Sequence, residues 1–140
     1  MSQENVEIVR RAYERLGEND PLGDWSWFFE EFAHDELELR PAGTFIDSAQ
    51  SYRGREGWAQ FWRDFSSTWG EWHYDPDAFE FFDAGEKVVV FARPVGVGEA
   101  SGIEVTQDEA HVWTVRDGRM VLAVAYMDRA QALEAAGLRE

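Results

Sequence analysis

The stretch EAHVWTVRDGRMVLAVAY, residues 109–126, constrains the fold more than any other part of this 140-residue chain. Asp117-Gly118 is the two-residue signal of a type I′ turn, in which both central residues take positive φ, and apolar runs flank it on either side. Such a turn sets Arg116 opposite Arg119. The register that follows puts His111 opposite Val124, Trp113 opposite Leu122 and Glu109 opposite Tyr126, with all six side chains on one face. His111 then has Glu109 and Trp113 as same-strand neighbours and Tyr126 on the diagonal, a polar and aromatic mixture on an apolar strand. Two readings are open for it: a hydrogen-bonded core histidine, or a pocket group whose ordinary pKa of about 6.5 suits acid–base work.

The rest of the chain supplies helices first and strands later. Val6, Val9, Tyr13 and Leu16 recur at helical spacing behind a Ser2 cap, and Trp25, Phe28, Phe29 and Phe32 repeat it after Asp24. Trp58, Phe61, Trp62 and Phe65 form a third stripe after Gly54. Leu37 and Leu39 alternate with charged residues up to Pro41, the mark of a short half-buried strand, and an irregular stretch runs on to Gly54. From Trp72 the pattern is that of an antiparallel meander: 72–82 broken by Pro76, then 87–97, 103–116 and 119–128. The loop over 96–102 is too long to fix the register between the strand carrying Arg93 and the strand carrying His111. A short helix over 129–136 ends at Gly137, suited to a left-handed C′ position. Val121, Ala123, Ala125 and Met127 lie on one side of the last strand and Leu122, Val124 and Tyr126 on the other. Both faces are therefore apolar and both need cover, for which a second subunit on the outer sheet face is the economical expectation.

Composition removes whole classes of chemistry. With 28 acidic and 13 basic residues the net charge is −15, which opposes binding to nucleic acid or an anionic membrane surface. Cysteine is absent, so there is no thiolate nucleophile, disulfide framework or Cys-ligated metal site. Three scattered histidines lack HExxH or related spacing, and no metal is expected. The glycines near 96–102 join two strands and do not open a helix, so no nucleotide cofactor is expected either. The opening MSQENVEIVRR has no basic and apolar leader pattern, and no window reaches the roughly 20 apolar residues of a membrane span. A single cytoplasmic domain is the expectation.

VEIVRRAYERL, FAHDELELRP, SYRGREGWAQFW, VVVFARPVG and the closing strand–Asp-Gly–strand–DRAQALEAAG run together resemble the SnoaL-like branch of the nuclear transport factor 2 superfamily, over essentially the whole chain. The resemblance implies an α+β cone, a curved antiparallel sheet wrapped around three N-terminal helices, with a pocket at its open end and frequent dimerisation. Members include polyketide cyclases, ketosteroid isomerases, dehydratases and epoxide hydrolases, as well as non-catalytic binding proteins. Against the ketosteroid isomerase pattern, Arg40 occupies the position of the carboxylate base before Pro41, and His111 falls on the strand position of the oxyanion-binding acid. Arg93 and Asp128 could supply parts of the arginine–carboxylate set of epoxide hydrolysis. Glu109 or Asp108 is the available strand carboxylate for cyclase-type chemistry.

Each candidate carries an ordinary structural reading beside the functional one. The catalytic candidates are His111, Arg93, Tyr126 and Asp128. Arg93 sits in an apolar strand and pairs either with a structural carboxylate or with a ligand anion. Asp128 is either a pocket carboxylate or the N-cap of the last helix. The ligand-binding candidates from the helices are Tyr13, Trp27, Phe28, Trp58 and Phe61; from the strands they are Arg40, Phe91, Glu109 and Trp113. The rings among them serve as pocket walls or as plain core. The functional expectation is a domain that binds a small, largely apolar organic molecule, with cofactor-free isomerisation, cyclisation or hydration as its chemistry. The alternative is a non-catalytic binding or dimerisation module of the same fold.

Overall fold

A first amphipathic helix, α1 (Ser2–Leu16), lays Val9, Ala12 and Tyr13 into the core, as their spacing requires. The computed structural model describes residues 2–41, 51–69, 71–97 and 101–138. The stretch expected to be irregular before Gly54 falls mostly on 42–50, and the loop expected over 96–102 partly on 98–100, both outside the described residues; the side chain of Ser2, the expected cap, lies outside them too. Helix α2 (Ser26–Glu31) buries Phe28 and Phe29. Its expected cap, Asp24, lies one residue ahead of the helix boundary, where its Oδ1 accepts from the Ser26 N–H and hydroxyl. Helix α3 (Gly54–Trp69) buries Trp58, Trp62 and Phe65. Gly57 lets it press against the strand just before it: a Cβ there would stand 3.0 Å from the Tyr52 backbone.

Among the described residues nine strands form two sheets. The larger runs in the order β2 (Tyr52–Arg53), β1 (Ala33–Arg40), β9 (Arg119–Tyr126), β8 (Glu109–Arg116), β5 (Lys87–Ala92), β4 (Glu80–Ala84). The smaller runs β3 (Glu71–Tyr74), β6 (Pro94–Val97), β7 (Glu104–Thr106). Of the four expected strand spans, the first breaks at Pro76 as expected, in a short 3₁₀ turn over Pro76–Ala78, the second is interrupted at Arg93 and the third between Thr106 and Glu109, while the last runs unbroken as β9. At Arg93 the chain leaves one sheet for the other, because Pro94 has no N–H to continue the ladder and the Arg93 carbonyl accepts from the Asp75 N–H instead. All pairings are antiparallel except β1 with β9, which is parallel. The sheet is curved and unclosed, and α1, α2 and α3 pack on its concave side, the α+β cone expected from the sequence.

The turn at Asp117-Gly118 has the expected form, with φ of 52° and 76°. The expected register does not survive past it. Arg116 pairs with Arg119 and Val115 with Met120, but Thr114 then pairs with Leu122, so β9 carries one extra residue. This bulge shifts every later pair by one, which turns the opposite set of β9 side chains toward the concave face. His111 lies opposite Ala125 and Trp113 opposite Ala123, while Tyr126 lies opposite Ala110. On the other flank His111 pairs with Val90 and Trp113 with Val88, the register the loop length had left open.

The outer face has cover of its own. Helix α4 (Arg129–Ala135) folds back over it, joining Val89, Ala110, Val112 and Ala132 with Phe82, Phe91 and Tyr126 in a second apolar cluster. Asp128 is its N-cap, its carboxylate accepting from the Ala130 and Gln131 N–H groups. Gly137 takes φ of 83° behind the helix, as expected.

Candidate functional site

On the concave face the sheet places a polar chain among rings. The Trp113 Nε1–H donates to the Tyr13 hydroxyl oxygen at 2.7 Å, Tyr13 lies 2.7 Å from His111 Nδ1, and His111 Nε2 lies 2.7 Å from Glu109 Oε1. Indole nitrogen only donates and an ionised carboxylate only accepts. The arrangement that gives every donor an acceptor is therefore a neutral His111 bearing its proton on Nε2, which donates to Glu109, while Nδ1 accepts the Tyr13 O–H. The chain joins elements about a hundred residues apart, α1 to β8. Its members are well shielded: the His111 side chain is 13% exposed and that of Glu109 6%. Burial pushes the Tyr13 phenol far above its ordinary value; the Trp113 N–H opposes that push and the Glu109 charge adds to it. The half-buried Tyr74 phenol is raised too, by burial first and then by the charge of Glu109.

Two cavities meet at this chain. The inner one, about 50 Å³, is lined by Glu109, His111, Trp113, Trp58, Trp62 and Phe61, with Leu39, Ala123 and Ala125 from the neighbouring strands. It is a third of the roughly 150 Å³ that encloses a benzene ring in a dry interior. The outer one, about 450 Å³, is a cleft between the C-terminal half of α1, the residues leading into α2, and β3–β4. Arg10, Glu14, Asn19, Trp25, Trp72 and Phe79 line it, and its volume is that of a small-molecule site. Tyr13, Leu16 and Tyr74 line both cavities and so stand between them. Trp25, Trp62 and Trp72 stack as near-parallel rings, 5.6 and 5.5 Å apart, alongside this partition. The Nε1 atoms of Trp58 and Trp62 are buried without a hydrogen-bond partner, a state that costs on the order of 1–3 kcal/mol for each donor.

The structure brings together some of the residues expected from the sequence and disperses others. His111, Glu109, Trp113, Tyr13, Trp58 and Phe61 converge on the inner cavity. Phe28 is core, its ring stacked on Trp58 at 4.7 Å. Trp27 packs on Trp25 with its N–H on Asn19 and the Arg15 guanidinium over its face. Tyr126 sits on the outer face, turned there by the β9 bulge, and Phe91 is on that face under Arg129. Arg93 pairs with Asp108 at 2.8 Å in a surface recess, the structural alternative. Arg40 pairs with Glu38 at the exposed end of β1, beside Tyr126. Asp128 caps α4. Tyr74 and Trp62 were not among the expected site residues. The i+4 spacing of Trp62 from Trp58 carries that signal for Trp62, whereas nothing local marks Tyr74. No group of metal-ligating side chains occurs among the described residues.

Residues 9–123 match the SnoaL-like domain, and the chain belongs to that family. Among solved structures it is similar to an NTF2-like protein from Burkholderia xenovorans LB400, at 23% identity, TM-score 0.69, covering 97% of each chain. It is also similar to TerC co-crystallised with polyporic acid, at 21% identity and TM-score 0.72, covering 96% of this chain and 98% of that one. A candidate SnoaL-like polyketide cyclase from Jannaschia sp. CCS1 matches at 20% identity and TM-score 0.68, over 89% and 85%. Likeness at these identities speaks for the fold alone. No curated protein matches the chain.

Proposed function

We propose that this protein binds a small, largely apolar organic molecule at the cavities on its concave face and acts on it by cofactor-free proton transfer. The observation that carries the reading is the buried Glu109–His111–Tyr13 chain, which ends on a phenol bordering both cavities. His111 has both ring nitrogens engaged and does not line the outer cleft. Tyr13 is the group that meets a ligand there, with His111 and Glu109 behind it. If Tyr13 takes a proton from the ligand, its own O–H proton passes to His111 Nδ1, Glu109 stabilises the imidazolium that results, and the reverse transfers return a proton to another atom of the ligand. Isomerisation, cyclisation and hydration all fit such a relay, and membership of the SnoaL-like family supports the choice of class.

Mass spectrometry of compounds that co-purify with the protein, followed by incubation of each compound with fresh protein, tests this. The expected result is a bound organic molecule that the parent converts and that His111→Ala binds but converts at least tenfold more slowly. Unchanged turnover in His111→Ala refutes the relay. A ligand returned chemically unaltered supports the second reading, a binding module, which the small inner cavity and the fully engaged histidine favour.

The residues of β9 that α4 leaves half-buried, Leu122 and Val124, support a homodimer through the outer sheet face. Light scattering on Val124→Asp tests it, a monomer in place of a dimer being the expected result. No helix among the described residues is long and apolar enough to cross a membrane. A cytoplasmic location is the corresponding proposal, and cell fractionation tests it.

A further inference from the structure

We infer that Trp58 and Trp62 form a paired-donor subsite for a neutral oxygen acceptor, such as a carbonyl or ether, in the inner cavity. The inference rests on the proposal that the concave face holds a small molecule. Both indoles are buried, at 4% and 3% exposure, and both line the inner cavity. Both lack a partner for Nε1–H, and the remaining buried unpartnered polar atom among the described residues, Arg129 Nε, lies far off on the outer face. They stand one helical turn apart on α3, with ring centroids 5.8 Å apart and planes inclined by 75°. Two donor-only groups on side chains that line one cavity call for an acceptor, since an indole N–H can be satisfied in no other way.

The sign of the acceptor follows from the other walls. Glu109, which accepts from His111, lines the same cavity, so a carboxylate or phosphate there would meet a negative charge at close range in a low-dielectric interior. A cation has nothing to offer an N–H group. A neutral acceptor on an apolar frame satisfies both indoles without either conflict. The cavity of about 50 Å³ takes a group of a few heavy atoms, so the subsite would grip the polar end of a larger molecule.

Proton–nitrogen correlation spectra of the seven indole groups provide the test, with Trp58→Phe and Trp62→Phe used to assign two of them by loss of signal. The probes are acetone and isobutene, which share a shape and differ in the acceptor oxygen. The expected result is a downfield shift of both indole protons on titration with acetone and none with the alkene. Each Phe variant should weaken binding of the ketone at least fivefold more than it changes binding of the alkene. If ketone and alkene bind equally and the indole protons stay put, the cavity is an apolar site: the donor pair is overturned and ligand binding stands. Indole protons already downfield in the ligand-free protein and unmoved by ketone would show that water satisfies them, which also overturns the subsite. If neither probe shifts any resonance of Tyr13, His111 or the two indoles, both the subsite and the ligand-binding reading fail at this cavity. The shifts are read on the parent protein, so the outcome does not depend on how well either Phe variant folds.

Discussion

Asp108 and Glu109 are adjacent in sequence and carry the same charge, yet they sit in different solvents. The Asp108 side chain is about half exposed and lies among the guanidinium groups of Arg93, at 2.8 Å, and Arg129, at 3.6 Å. The hydrogen bond from Arg93 holds its carboxyl below the usual range, with slight burial opposing and Arg129 adding to the effect. Glu109 points the other way, is shielded from water and meets His111. The strand pleat sends successive side chains to opposite sides, so the entry into β8 divides the two acids between surface and core. Ion pairs on the surface exchange readily with water and salt, whereas each atom of the buried chain has only its protein partner to replace water. The same residue type therefore decorates one cluster and organises the other.

The largest effect should come from Tyr13→Phe. It leaves the Trp113 N–H and His111 Nδ1 buried without partners, and at about 1–3 kcal/mol for each orphaned group the expected loss of unfolding free energy is about 3 kcal/mol. Denaturant titration measures it. A loss below about 1 kcal/mol would mean that water replaces the hydroxyl and that the chain is not a closed network.

Next in size is the response to alkali. Tyr13 and Tyr74 have folded-state values raised above the ordinary 10.0, so the folded protein retains protons that the unfolded chain gives up. The contribution of each phenol is fully present below pH 10.0 and is lost as pH climbs above it. Each phenol adds up to about 1.4 kcal/mol per pH unit to that decline. Stability measured across this window should fall less steeply in Tyr74→Phe than in the parent, and equal slopes would refute the buried-phenol picture.

The smallest effect belongs to the surface cluster. Arg93→Ala should leave stability near that of the parent, with any difference vanishing in molar salt. A salt-insensitive loss would show that Arg93 anchors the passage between the two sheets as well as the surface ion pairs.

Much of the fold was legible because it is written in local pattern. The stripes Val9–Tyr13, Phe28–Phe29 and Trp58–Trp62–Phe65 have helical spacing and are buried where that spacing puts them. Asp117-Gly118 forms the turn its chemistry demands, and Asp128 caps α4. The site was legible only in part. Glu109, His111 and Trp113 alternate on one strand, and alternation alone keeps them on one face. Tyr126 was assigned to that face through a register that the bulge in β9 cancels, and no residue in RMVLAVAY announces the bulge. The partnership of Tyr13 with His111 and the place of Tyr74 beside them depend on contacts between distant parts of the chain, which leave no periodic trace.

By itself the sequence determined where the helices lie, the tight turn, the Asp128 cap, and which residues of β8 share a face, because these follow from bonding and burial within a few residues. Tertiary structure decided which β9 face turns inward, how Tyr13 closes the His111 chain, and that two indoles with unpartnered N–H groups line an inner cavity. Those outcomes are set by packing between elements, where one extra residue in a strand exchanges the side chains of its two faces.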